Sequence, residues 1–349
     1  MNIRIIPYKL IFHKPAGTSR GILTAKESWY FILSQKEKPD IYGIGECSLL
    51  PGLSPELHHN IYEIFRRLES DPEAWLENTS LTSSFPAIRF ALETAYLDWQ
   101  NEGKRILFPG PFTNGQKAIP INGLIWMGKP DEMIKQIHEK VEAGFTTLKM
   151  KVGAIDFEKE LEIIRYIRSA FSSRQLTLRL DANGAFNPCE ALDKLKQLSA
   201  FDIHSIEQPI KANQPTSMAL LCEKSPIPVA LDEELIGIHS KGEKEHLLDT
   251  IRPAYIILKP SLHGGISGAE EWIRLATQRN IGWWITSALE SNIGLNAIAQ
   301  WTGHIQAEGV QGLGTGTLYK NNIPSPLYIH KGMLRFDPNR SWTFNFKEL

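Results

Sequence analysis

In the middle of this chain, charged residues recur at a nearly constant interval, each at the end of a short apolar run. Asp181 ends "LRLDAN", Glu207 ends "SIEQP", Asp232 ends "VALDEE" and Lys259 ends "IILKP". The steps between them are 26, 25 and 27 residues. Such a step fits one β-strand followed by one returning helix in a parallel sheet. The repeat therefore predicts a row of parallel strands, each carrying an ionisable group at the same end.

The pattern extends on both sides. Eight apolar runs read as strands: "IPINGLIW", "TTLKMKV", "LTLRLDAN", "IHSIEQP", "PVALDEE", "YIILKP", "GWWITSALE" and "GVQGLGTG". The stretches between them carry helical spacing. "KPDEMIKQIHEKVEAG" puts Met133, Ile134, Ile137 and Val141 on one face, with Asp131 and Glu132 in its first turn and a stop at Gly144. "DFEKELEIIRYIRSAF" does the same with Leu161, Ile164 and Ile167. Eight strands alternating with helices predict an α/β fold closed into a parallel barrel. A doubly wound open sheet would carry a glycine-rich phosphate turn after an early strand, and none occurs in that context.

The ends read differently. Up to about residue 110 strands and helices mix: "IRIIPYKLIF" and "WYFILSQ" are strand-like. "PAIRFALETAYLDWQNEG" is a helix with Ile88, Ala91, Leu92, Ala95 and Leu97 on its apolar face and a stop at Gly103. "FPGPFTNG", 108–115, reads as a linker. The last segment has strand-like pieces, "PLYIH" and "TFNF", and is expected to pack back on the N-terminal part. The expected units are thus 1–110, 111–320 and 321–349.

Composition narrows the function classes. A formal charge of −1 gives no global attraction to nucleic acid or to an anionic membrane. Cys47, Cys189 and Cys222 are odd in number and far apart, which suits neither a disulfide framework nor a metal motif. The N-terminus reads as a strand rather than a signal peptide, and no apolar stretch reaches the length of a membrane span. The expectation is a soluble cytoplasmic protein acting on a small molecule. No feature of the sequence specifies an oligomeric state.

The charges themselves point to chemistry. In a parallel barrel the C-terminal strand ends open on one face, so Asp181, Glu207 and Asp232 converge there. Lys149 and Lys151, in "LKMKVG", alternate onto one face of the second strand, and Lys259 lies on the sixth. Taken singly, each has a plain structural reading: an aspartate at a strand end caps a helix, and a lysine there is solvated. Those readings leave the strand-to-strand spacing unexplained. Three carboxylates in a poorly solvated mouth need a counter-charge, and an all-oxygen set favours one Mg²⁺ ion over zinc. A lysine base beside such an ion suits removal of a weakly acidic proton next to a carboxylate.

"LKMKVG", "LRLDANGAF", "IEQPI", "ALDEEL" and "ILKPSLHGG" resemble the enolase superfamily, in its muconate-lactonizing subgroup. The likeness covers nearly the whole chain. It implies a modified (β/α)7β TIM-like barrel with an N-terminal α+β capping domain completed by the C-terminal segment. It also implies Mg²⁺ on Asp181, Glu207 and Asp232, with Lys151 as acid/base and Lys259 on the other face of the substrate. Lys149 would contact the substrate carboxylate and lower the pKa of Lys151. Asn183, Ser287 and Gly314, with Ser19 and Arg20 from the loop 13–23, would contact the substrate, that loop folding over the mouth.

The seventh strand, "WWITSALESNIG", has no histidine base, unlike mandelate racemase-like members. His263, in the loop after Lys259, reads as a surface residue or one lying behind those that touch the substrate. "SALESNIGLNAIAQW" and "GLGTGTLY" resemble the branch that dehydrates a succinyl-substituted cyclohexadiene carboxylate to an aromatic acid in menaquinone biosynthesis. The alternative is a racemase of N-acylated amino acids or a dipeptide epimerase. Dipeptide epimerases of the superfamily carry acidic residues after the eighth strand, where this chain has "GLGTGTLYKNN".

Overall fold

The computed structural model describes residues 1–18 and 21–344. Three antiparallel strands open the chain, paired in order: β1 (Asn2–Thr18), β2 (Gly21–Gln35) and β3 (Lys38–Ser48). The first two are longer than the runs that mark them in sequence. After a register shift beyond Ile11, pairing resumes at Ala16–Leu23 and continues to Thr18–Gly21. Most of the 13–23 stretch, expected as a loop, is therefore the outer part of a hairpin. At the shift β1 finds other partners, since buried backbone groups must be satisfied. Phe12 bridges Tyr319, and the His13 N–H donates to the Leu318 carbonyl at 2.8 Å. Leu10, Phe12, Ala16 and Tyr319 are buried there, against Trp126 and Leu289. Ser19 and Arg20 lie outside the described residues.

Helix Pro86–Gln100 lies on β3. Ile88, Ala91, Leu92 and Ala95 of its predicted face are buried, and Leu97 is half-buried. Strand and helix approach closely because β3 carries Gly43 and Gly45. A Cβ at either would stand 1.9 Å from the carbonyl oxygen of Ala95 or Ala91. The 108–115 stretch is a packed turn rather than a loose linker: Phe112 is buried in the barrel core, and the Phe108 N–H donates to Gln300 Oε1 at 3.1 Å.

After β4 (Ile119–Pro120) come β5 (Gly123–Ile125), β6 (Thr147–Lys151), β7 (Thr177–Asp181), β8 (Ser205–Glu207), β9 (Val229–Leu231), β10 (Tyr255–Leu258) and β11 (Gly282–Ile285). From β5 to β11 each strand pairs in parallel with the next, in sequence order. Helices Pro130–Glu142, Phe157–Ala170, Pro188–Leu198, Pro215–Lys224, Lys241–Ile251 and Gly265–Thr277 make the crossovers, and Asn292–His304 follows β11. Their termini follow local chemistry: Asp156 caps Phe157–Ala170 by accepting from Glu158 N, and Leu161, Ile164 and Ile167 are buried. The eighth run closes the barrel with two residues: Gln311 bridges Ile121, and Gly312 bridges Thr286, both in parallel. Finally, β12 (Leu327–His330) and β13 (Met333–Phe336) form a hairpin whose second strand pairs with β4. Trp342 and Phe344 then pack against Ile6, Tyr30, Ile32 and Ile44 of the first sheet.

The first sheet and the barrel are joined by a buried polar contact. Glu46 accepts from Ser291 N at 2.9 Å, Ser291 Oγ at 2.6 Å and Gly294 N at 2.9 Å, at the start of helix Asn292–His304. It also accepts from Ser28 Oγ, which with Ser48 receives the buried Lys26 ammonium. A carboxylate at a helix N-terminus meets both free N–H groups and the positive end of the helix dipole. Nearby, Leu50 and Leu53 lie on Leu262, Ala288 and Leu289, beside the C-terminal ends of β10 and β11. No helix of the described residues is long and apolar enough to cross a membrane.

Glu56 follows this segment. It is fully buried, accepts from Ala87 N at 2.6 Å with Oε1, and its Oε2 has no hydrogen-bond partner among the described residues. Burial outweighs the backbone hydrogen bonds and pushes its pKa up to about 7. A carboxyl group whose folded pKa is raised favours folding most below its unfolded value, and that contribution is lost as pH rises through about 7. The Glu56→Gln variant removes this titration. Relative to the parent it should gain stability between mildly acidic pH and pH of about 7.5, on the order of 1–3 kcal/mol. Urea midpoints measured across that range test this. A constant difference between the two proteins contradicts it.

Candidate active site

The in-register pairing of parallel strands builds the site. Lys151 on β6 lies beside Asp181 on β7, and Asp181 beside Glu207 on β8. Asp232 follows β9 directly, and Lys259 follows β10. The six predicted chemical residues therefore come together, in the order read from the sequence.

Their contacts form a closed ionic set. Lys149 Nζ lies 2.9 Å from Asp181 Oδ2 and 2.7 Å from each oxygen of Glu207. Lys151 Nζ is 2.6 Å from the same Asp181 oxygen and also donates to Asn183 Oδ1. Lys259 Nζ pairs with Asp232 Oδ2. All three carboxylates are buried, while the Lys151 and Lys259 side chains each keep 12% exposure. The two lysines that share a strand face thus share one carboxylate oxygen.

Electrostatics follow from this sharing. Burial raises Asp181, but the Lys149 and Lys151 ammonium groups outweigh it and hold its carboxyl far below the usual range. Asp232 is likewise lowered, because Lys259 and Lys149 overcome its burial. Glu207 goes the other way: burial and the neighbouring Asp181 charge push it up to about 8, despite Lys149. Burial lowers the pKa of Lys149, but Asp181, Glu207 and Asp232 outweigh it and raise it. Lys259 is raised in the same way by Asp232 and Glu207.

As the side chains stand, no three acidic, histidine or cysteine groups among the described residues close on a common point that would hold a metal. Lysine ammonium groups stand between the carboxylates. Even so, Asp232 Oδ1 accepts no hydrogen bond among the described residues, and Glu207 Oε2 has only its ion pair with Lys149. Buried acceptors left short of donors, in an all-oxygen set, fit a hard divalent cation.

The substrate-binding expectations divide. Asn183 is in the set: it takes the Lys151 bond, donates to Glu233 Oε1 at 3.0 Å, and has a left-handed φ of 44°. Ser287 is buried just beyond β11, 2.7 Å from Thr315 Oγ1. Gly314 precedes the short turn 315–317 and lies near the Asn122 carbonyl. Ser19 and Arg20 lie outside the described residues. His263 is buried, not on the surface, and its Nδ1 accepts the Lys259 N–H at 3.0 Å.

Two residues were not anticipated. Gln208 Oε1 accepts from Asp232 N at 3.1 Å and Glu234 N at 3.2 Å, while its Nε2 donates to Glu234 Oε2 and the Ile210 carbonyl. It fixes the turn that carries Asp232. Its position directly after Glu207 was the available signal. Below the site, the Arg179 guanidinium lies 4.0 Å from the Trp284 ring centroid and donates to the Val310 carbonyl, tying β7 to the closing run.

Known proteins share this plan. A family model described as Enolase C-terminal domain-like matches residues 132–343. An o-succinylbenzoate synthase from Desulfotalea psychrophila is 47% identical, over 93% of this chain and 96% of the relative. The crystal structure of MenC from the same organism superimposes with a TM-score of 0.83, at 43% identity, covering 96% of this chain and 99% of that one. A dipeptide epimerase from Cytophaga hutchinsonii, crystallised with Mg and D-Ala-L-Val, also reaches 0.83, over 99% of this chain and 96% of that one. At 21% identity that likeness speaks for the fold alone. The chain belongs to the enolase superfamily, in its o-succinylbenzoate synthase family.

Proposed function

We propose that this chain dehydrates 2-succinyl-6-hydroxy-2,4-cyclohexadiene-1-carboxylate to o-succinylbenzoate, a lyase reaction of menaquinone biosynthesis. The observation that carries the reading is the row Lys151, Asp181, Glu207, Asp232, Lys259, with a lysine at each end, in a chain alike over nearly its whole length to such a synthase. Three free cysteines, one of them buried, suit a reducing cytoplasm.

Asp181, Glu207 and Asp232 would hold one Mg²⁺. When bound, the ion acts as a Lewis acid on the substrate carboxylate, drawing off charge that builds up as the proton leaves. The three carboxylates offset the three ammonium groups of Lys149, Lys151 and Lys259. A divalent ion would then leave the site doubly positive, or singly positive once Lys151 is the neutral amine. A substrate with a ring carboxylate and a succinyl carboxylate supplies the matching charge.

Lys151, as the neutral amine, takes the proton from the carbon that bears the ring carboxylate. The C–H electrons spread into the ring carboxylate as an enediolate and then form a ring double bond as the C–O bond to the hydroxyl breaks. Lys151, now an ammonium, returns the proton to the departing hydroxide, and water leaves. Lys259 stays cationic and stabilises the charge that builds up on the opposite side of the ring. Lys149 holds Asp181 and Glu207 in place. Asn183 orients Lys151 through its Oδ1. No acidic residue occurs in "GLGTGTLYKNN", 312–322, which disfavours a substrate ammonium group there and so an epimerase.

Turnover of the cyclohexadiene substrate should require added divalent metal, and Lys151→Ala should abolish it. No turnover in Mg²⁺ overturns the synthase reading, and full activity after thorough chelation overturns the metal assignment. An epimerase would instead incorporate α-deuterium from D₂O into both enantiomers of its substrate. A second test needs no activity. Lys149→Met leaves buried carboxylates short of a counter-charge and should cost about 3–5 kcal/mol in metal-free urea unfolding. Millimolar Mg²⁺ should recover part of that loss. An unchanged midpoint, or no response to Mg²⁺, contradicts the proposed arrangement.

A further inference from the structure

Lys259 sits where β10 ends, so its own N–H falls outside the sheet ladder. The next residue, Pro260, has no N–H to offer, and the chain turns sharply. Leu262 N and His263 N both donate to the Lys259 carbonyl, at 2.8 and 3.0 Å. The His263 ring closes the turn from the other side: its Nδ1 accepts the Lys259 N–H at 3.0 Å. Farther along the turn, Ser261 Oγ donates to Glu290 Oε1, and Glu290 Oε2 accepts from Ala288 N at 2.6 Å. That links the turn to the end of β11.

The ring is 3% exposed. Because Nδ1 accepts, the ring proton resides on Nε2, which has no hydrogen-bond partner among the described residues. Burial holds the ring's pKa down near 3, so Nδ1 remains an acceptor at neutral pH. A buried polar ring that makes one hydrogen bond and leaves its other nitrogen unpaired is a costly way to fill space. That one bond fixes the backbone of Lys259, and with it the direction in which the lysine side chain leaves the strand.

We propose that His263 is a positioning residue: through Nδ1 it orients Lys259 so that the ammonium meets Asp232 and faces the substrate. The catalytic part of this statement rests on the dehydration reading above. The geometric part does not. The ring's shape supplies the test. Asn places an oxygen where Nδ1 stands, whereas Gln places it one bond farther out.

His263→Gln and His263→Asn should therefore differ. The Gln variant should lose on the order of 10–100-fold in kcat with little change in KM. The Asn variant should run close to the parent rate. Crystal structures of the two variants should show Lys259 displaced from Asp232 in the first and retained in the second. Equal kcat in the two variants, whether both high or both low, overturns the proposal, as does Lys259 held on Asp232 in both. If neither variant folds, the ring is a structural element and the positioning role is likewise overturned. If the parent protein does not turn over the cyclohexadiene substrate, the dehydration reading fails instead, and the two crystal structures decide the role of His263 alone.

Discussion

Three buried carboxylates meet three lysine ammonium groups at one end of this barrel, and the carboxylates could not be buried without them. That mutual neutralisation depends on strand register. A slip of one residue between β6 and β7 would turn Lys149 and Lys151 toward the helices, away from Asp181, Glu207 and Asp232. The register is in turn held by apolar residues on the outer strand faces, such as Leu148, Met150, Leu178 and Leu180, all buried. The hydrophobic pattern and the ionic pattern thus specify the same pairing, one from each side of the sheet.

The distribution of charge is uneven in a way that suits a site rather than a scaffold. Asp181 is held strongly ionised by two lysines, while Glu207 is pushed toward the neutral form by burial and by Asp181. Adjacent groups driven in opposite directions within one cluster are common at functional sites. Lys149, the least exposed of the three lysines, makes the most contacts to acids, whereas Lys151 and Lys259 sit at the ends of the row. Depth along β6, not strand order, distinguishes Lys149 at 8% side-chain exposure from Lys151 at 12%, and Lys259 on β10 matches the latter.

Much of this was legible in the sequence because period and position carried it. The step from Asp181 to Glu207 to Asp232 to Lys259 gave the strand order, and the apolar spacing in 130–142 and 157–170 gave the helices. The closing run was legible only in part: "GVQGLGTG" makes two single-residue bridges instead of a strand. The extent of the β1–β2 hairpin was not legible. His13 looks like a loop residue until Leu318, some three hundred positions away, accepts its N–H, beside the bridge from Phe12 to Tyr319. Gln208 and Glu46 were missed for the same reason. Each acts through backbone N–H groups that no residue pattern reveals.

Glu46 illustrates what such contacts imply. Its carboxylate fills the space in which a side chain at 294 would stand: a Cβ there would lie 3.0 Å from Glu46 Oε2 and 2.7 Å from Glu290. Glycine at one end of the chain and glutamate at the other are therefore halves of a single fitting. A chimera that joined the first fifty residues of one relative to the barrel of another would have to transfer both halves. Otherwise it would leave an unclaimed charge, or a steric clash, in its own seam. Changes of substrate made by exchanging caps are thus confined to partners that already share this joint, however different their mouths.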